Sequence, residues 1–150
     1  MSDKLALPLF IVFVVGIGAL IGVSFQPGPW YDGLTKPWFN PPGWIFGPVW
    51  TILYILIGIA GWRAWFRAND NRLKTFWIVQ MVLNFIWSPA FFGAENLGLA
   101  LIIIVPMWLA IAGFLLRALQ TDRPSAWLFT PYLVWVSFAT LLNASLYILN

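Results

Sequence analysis

Five runs of about twenty apolar residues, each long enough to cross a hydrocarbon layer as a helix, take up most of this chain. They fall at roughly 5–25, 44–66, 73–92, 97–119 and 125–149. Inside a bilayer every backbone polar group needs a partner within the chain, so such runs form helices. Composition agrees: 61% of residues are hydrophobic and 9% charged, where a soluble domain carries roughly half and a quarter. The fold expected is an all-α integral membrane protein, a single bundle of five transmembrane helices with a long structured first loop at 26–43. Lys4 and the small residues Gly22-Val23-Ser24 give the first run the look of a secretory signal. Its apolar stretch is too long for a signal core, so it reads as a retained span.

Charge then sets direction. With five spans, one side collects Lys4, Arg63, Arg67, Arg72, Lys74, Arg117 and Arg123, and the other keeps Lys36. Basic residues stay in the cytoplasm, so the N-terminus is expected there, with the C-terminus and first loop outside. The net charge of +3 therefore reports topology and not affinity for nucleic acid.

Several chemistries are missing. The chain has no cysteine and no histidine, which excludes disulfides and thiolate nucleophiles and removes the commonest metal ligand and general base. No acidic or basic residue falls near the middle of a span, which argues against ion-coupled transport. No carboxylate pair or Ser-His-Asp set is present. No metal site, no required cofactor and no acid–base catalysis are expected.

Polar residues within the spans follow helical spacing. On the third span Trp77, Gln80, Asn84, Trp87 and Phe91 recur every three or four residues. On the fifth, Tyr132, Trp135, Ala139, Leu142 and Asn143 do the same, and on the second Trp50 and Tyr54 share a face with Gly58 and Gly61. Amides avoid lipid, so Asn84 and Asn143 should point inward. Singly, each amide can simply tie helices together. Jointly, the three stripes describe an apolar pocket with a few orienting polar groups. Gly18 and Gly22 form a GxxxG, which suits close helix approach within the bundle or across a dimer. Pro89 and Pro106 should bend the third and fourth spans.

The stretch WYDGLTKPWFNPPGWIFGPVW, from Trp30 to Trp50, holds four tryptophans, four prolines and three glycines. Its prolines stiffen the backbone, and Asp32 is placed to pair with Lys36. The stretch reads as a stiff lid over the outer mouth of the bundle. Trp38 and Trp44 fit the interfacial aromatic belt, while Trp50 belongs to the stripe that faces the pocket.

The run from Trp30 to Tyr54, with NFIWSPAFFG (Asn84 to Gly93) and PYLVWVSFATLLN (Pro131 to Asn143), closely resembles the translocator protein family, the tryptophan-rich sensory proteins of bacteria. The resemblance covers nearly the whole chain. It implies a five-helix bundle, often a homodimer, binding tetrapyrroles such as protoporphyrin IX, isoquinoline and benzodiazepine-type drugs and, in eukaryotic members, cholesterol. Carried over by position, the pocket takes Trp30, Tyr31 and Pro41 from the loop and Phe46, Trp50 and Tyr54 from the second span. Asn84 and Trp87 come from the third, and Trp135, Ala139, Leu142 and Asn143 from the fifth. The family's sterol motif is incomplete here: Leu142 and Tyr147 are followed by Ile148, Leu149 and Asn150, with no basic residue.

Three functions follow as expectations. The first is a membrane receptor or sensor for porphyrin, in tetrapyrrole transport or stress signalling. The second, also implied by the resemblance, is light- and oxygen-dependent porphyrin breakdown with Trp50 and Trp135 as the candidate catalytic residues. The third is a dimeric scaffold whose pocket holds lipid or sterol.

Overall fold

A computed structural model describes residues 2–150. Its elements are α1 (Asp3–Ser24), a single turn α2 (Pro29–Asp32), α3 (Phe46–Phe66), α4 (Asn71–Ser88), α5 (Leu97–Thr121) and α6 (Arg123–Leu149). A 3₁₀ turn (Gly43–Ile45) leads into α3, and a π-helical turn (Pro89–Gly93) extends α4. Five of the helices are long and apolar enough to cross a membrane.

Short polar side chains start the helices. Ser2 accepts from the Leu5 N–H, Asp70 from Leu73 and Asn96 from Leu99, each satisfying a donor that the first turn leaves unpaired. Asn69 and Glu95 take positive φ, 47° and 52°, to turn the chain tightly into α4 and α5. Pro89 does not simply bend its helix. It lacks an N–H, and the turn that follows closes with the Ala94 N–H on the Pro89 carbonyl at 2.8 Å, a π-type register that re-aims the residues it carries. α5, by contrast, runs unbroken through Pro106.

The long helices close a ring in the order α1, α3, α6, α5, α4. α1 and α3 cross closely because Gly58 has no side chain: a Cβ there would lie 2.9 Å from Ile11 Cα. α5 and α6 stack Phe114 on Phe129, with ring centroids 4.0 Å apart. Consecutive helices are expected to be neighbours, yet α3 and α4 pack thinly despite their short connection. Trp77 stands between them, its indole N–H on the Ile57 carbonyl at 2.9 Å. Large apolar side chains such as Val12, Ile102, Val134 and Ile148 face outward, as a bundle solvated by lipid requires.

Ion pairs gather at the basic end. Arg63 grips Asp122 through two bonds (2.9 and 3.0 Å), joining α3 to the start of α6. Arg117 likewise holds Asp70 (3.2 and 2.7 Å), and Arg67 meets Asp3 at 3.3 Å. At the opposite end the lid is tied to the end of α6. Thr35 donates its N–H to Asn150 Oδ1 at 3.0 Å, and Asn150 Nδ2 donates back to the Thr35 carbonyl at 2.9 Å. Asp32 and Lys36 do not form the expected carboxylate pair. The Lys36 ammonium instead donates to the Asp32 and Leu34 carbonyls (3.2 and 3.3 Å) and lies 4.8 Å over the Tyr31 ring. The tight turn brings those carbonyls within reach, and the exposed Asp32 carboxylate stays in solvent.

Candidate functional site

Beneath the lid, the ring encloses a cavity of about 520 Å³. Its roof is Tyr31, Asn40 and Pro41 of the lid, and α3 presents Phe46, Trp50 and Tyr54. The facing wall is Asn84, Trp87, Phe91 and Phe92 from α4 and its π turn. α6 adds Trp135, Ala139, Leu142 and Asn143, and α5 contributes Ile104 and Met107. On the α1 side the rim is built from Val15, Gly18, Ala19, Ile21, Gly22 and Phe25, with Gly47 and Thr51 of α3 opposite.

Eleven of the twelve residues carried over by position lie on this wall; Trp30 does not. Its ring packs edge-on behind Phe91, centroids 5.9 Å apart, so it buttresses the wall rather than forming it. The α2 turn points Tyr31 to the cavity and its neighbour away. Trp38 and Trp44 are 95% and 75% exposed, as belt residues should be. Phe92, Asn40, Met107 and the α1 rim were not among the expected wall residues. Phe92 reaches the cavity through the π turn, for which Pro89 in NFIWSPAFFG was the available signal.

In the aromatic corner, Trp135 meets Phe46 and Trp50 of α3 edge to face. Trp50 and Trp135 stand 6.5 Å apart at 88°, Phe46 meets Trp135 at 5.7 Å and 69°, and Tyr54 lies 5.5 Å from Trp50. Behind this corner runs a directed chain of hydrogen bonds. Tyr54 donates to Asn84 Oδ1 (3.0 Å), Asn84 Nδ2 to the Tyr132 hydroxyl (2.7 Å), and Tyr132 to Gln80 Oε1 (2.7 Å). Gln80 Nε2 ends the chain on the Trp77 carbonyl at 2.8 Å. Nearer the lid, Trp87 donates to Asn143 Oδ1, and Asn143 Nδ2 to the Leu97 carbonyl, each at 3.1 Å. The amides therefore do tie helices together, and two of them, Asn84 and Asn143, also border the cavity.

One buried polar atom of a wall residue is left over. The Trp135 indole N–H is buried and has no hydrogen-bond partner among the described residues, although buried donors are almost always paired. The lid's Tyr31 phenol is raised above its ordinary pKa by burial, partly offset by its hydrogen bond to Asn40, and so stays neutral. Asp32, at the exposed rim, is the one carboxylate on the wall. Among the described residues no three acidic, histidine or cysteine side chains gather.

An aromatic, nearly uncharged cavity inside a five-helix membrane bundle, roofed by a stiff loop, defines a membrane protein built around an apolar small molecule. Comparison with known proteins narrows the class. The chain belongs to the TspO/MBR family, whose model matches residues 8–149. It is 38% identical to the tryptophan-rich sensory protein of Cereibacter sphaeroides over 90% of this chain and 87% of that one. Identity to the tryptophan-rich protein TspO of Archaeoglobus fulgidus is also 38%, over 98% and 97%. The human translocator protein is 35% identical over 85% and 80%.

Proposed function

We propose that this chain is a membrane receptor for a flat, apolar ligand bearing a hydrogen-bond acceptor, with protoporphyrin IX the expected case. The observation that carries this reading is the aromatic cavity beneath the lid, walled by Phe46, Trp50, Tyr54, Trp87 and Trp135 with the amides of Asn84 and Asn143 at its border. Edge-to-face rings offer stacking surfaces to a planar molecule, and the amides at the cavity's border would orient its polar groups. Isoquinoline and benzodiazepine-type drugs share the same features. The charge partition supports a cytoplasmic N-terminus, with the lid and C-terminus outside. A homodimer would use a face other than that of Gly18, which Tyr54 occupies.

Titration of the purified protein with protoporphyrin IX in the dark, followed by tryptophan quenching, tests the reading. Saturable quenching that an isoquinoline drug displaces is expected. Its absence removes the receptor reading and favours a lipid-filled scaffold.

The second reading, photo-oxidative porphyrin breakdown, is favoured by the placing of Trp50 and Trp135 on the same wall, perpendicular and 6.5 Å apart. Illumination in air would then consume bound porphyrin faster in the native protein than in a Trp50→Phe, Trp135→Phe double variant. Equal rates would leave binding alone.

A further inference from the structure

At the basic end of the bundle, far from the cavity, α4 and α5 converge and then part. They converge where the Phe76 ring sits on Gly113, a Cβ at which would fall 2.6 Å from Phe76 Cε1. Beyond that pinch a surface groove of about 540 Å³ opens between the two helices. Its floor is apolar: Phe76 and Leu116, the latter 63% exposed. Its polar rim is Asn71, Arg72 and Thr75 from α4 and Arg117 and Gln120 from α5.

The rim's charge is unbalanced. Asp70 engages Arg117 through Nε and Nη2, leaving Nη1 without a partner among the described residues. Arg72, exposed on the first turn of α4, has neither an ion pair nor a side-chain hydrogen bond there. The whole end carries seven basic residues (Lys4, Arg63, Arg67, Arg72, Lys74, Arg117 and Arg123) against Asp3, Asp70 and Asp122, a net charge of +4. Guanidinium groups bind phosphate oxygens through paired N–H donors. The groove lies where the spans end, at the depth of lipid headgroups.

We propose that this groove binds an anionic phospholipid. Its phosphate sits between Arg72 and the free edge of Arg117, with Gln120 donating from α5, and its acyl chain lies along Leu116 and Phe76. The apolar floor selects a lipid over free phosphate, which would use the rim alone. Basic pockets between membrane helices on the charged side recognise such headgroups.

The test is native mass spectrometry of the detergent-solubilised protein with phosphatidylglycerol, phosphatidylcholine or inorganic phosphate. Retention of phosphatidylglycerol above phosphatidylcholine is expected, falling about fivefold in Arg72→Gln, the effect of one basic contact near the surface. Arg123→Gln, which removes the same charge at the same end outside the groove, should leave retention unchanged. Leu116→Gln should also lower it. Equal losses in Arg72→Gln and Arg123→Gln would mean diffuse attraction and overturn the site. Full competition by inorganic phosphate, or indifference to Leu116→Gln, would overturn the lipid as its occupant.

Discussion

Gly18 of α1 lies against the ring of Tyr54 of α3, so close that a Cβ on Gly18 would overlap the ring edge. Gly22, the other half of the GxxxG, has open space where its Cβ would be. The two glycines are therefore not equivalent, and only Gly18 holds the cavity wall in place. Gly18→Ala should lower stability by about 1–3 kcal/mol through overpacking and weaken ligand binding by displacing Tyr54. Gly22→Ala should leave stability unchanged. Thermal unfolding in detergent with a parallel ligand titration checks both; equal effects at the two positions would refute the distinction.

Trp135→Phe separates function from stability. It removes an unpaired buried donor, which offsets packing lost with the smaller ring, so the thermal midpoint of the ligand-free protein should change little. If the indole N–H serves a ligand acceptor, porphyrin affinity should nonetheless fall by about 1 kcal/mol, roughly fivefold. A variant that binds as tightly as the native protein would show that Trp135 supplies only a stacking face.

The chain from Tyr54 to Gln80 makes Tyr132 a junction, since its hydroxyl both accepts from Asn84 and donates to Gln80. Tyr132→Phe leaves two buried polar groups unpaired and should cost about 1–3 kcal/mol. Adding Gln80→Leu should then cost less than it does alone, because one orphan is removed with its partner. Strict additivity in equilibrium unfolding would show that the two side chains are not coupled.

Much of this was legible in the residues, and the reasons are physical. Apolar length and charge partition act over twenty residues at a time, so the five spans stood out. The period of 3.6 brought Trp50, Asn84, Trp135 and Asn143 to one interior because helices are rigid. What escaped depends on local register or on which neighbour fills a gap. A π turn at Pro89 aims Phe92 inward, and a single turn at Pro29–Asp32 sends Tyr31 to the cavity while Trp30 goes behind Phe91. The spacing of Gly18 and Gly22 could not say which would meet Tyr54. Asp32 and Lys36 looked like a pair in sequence, yet the turn offers Lys36 backbone carbonyls instead.

Acid should loosen the basic end of the bundle. Arg117 chiefly, with the Leu73 N–H, holds the Asp70 carboxyl at about 2 against an ordinary 3.8. Burial pushes Asp122 up, but its bonds from Arg63 and Ser125 outweigh this and lower it as well. Folded values below unfolded ones mean stabilisation that is complete above the unfolded pKa and lost as pH falls through the folded one. For Asp70 that window runs from about 3.8 down to about 2. Asp70→Asn keeps a good helix cap but drops the charge. Its thermal midpoint should start lower at neutral pH and change less than the native protein's across that window. Parallel curves for the two proteins would exclude Asp70 as a contributor.

The lid is latched at one amide. Asn150 accepts from the Thr35 N–H and donates to the Thr35 carbonyl, a two-point pairing across 115 positions of sequence. Tyr31, Asn40 and Pro41 reach the cavity from the same loop, so freeing Thr35 should loosen the roof without touching the walls. Asn150→Ala should therefore speed amide hydrogen exchange around Thr35 while leaving α3 and α6 protected. Ligand dissociation should quicken several-fold with association little changed, since a mobile roof mainly affects escape. Unchanged exchange at Thr35 would show that the proline-stiffened loop holds its place without the latch. Faster exchange with an unchanged dissociation rate would show that ligand leaves by another path, for which the rim of Ala19, Gly22, Gly47 and Thr51 is the available opening.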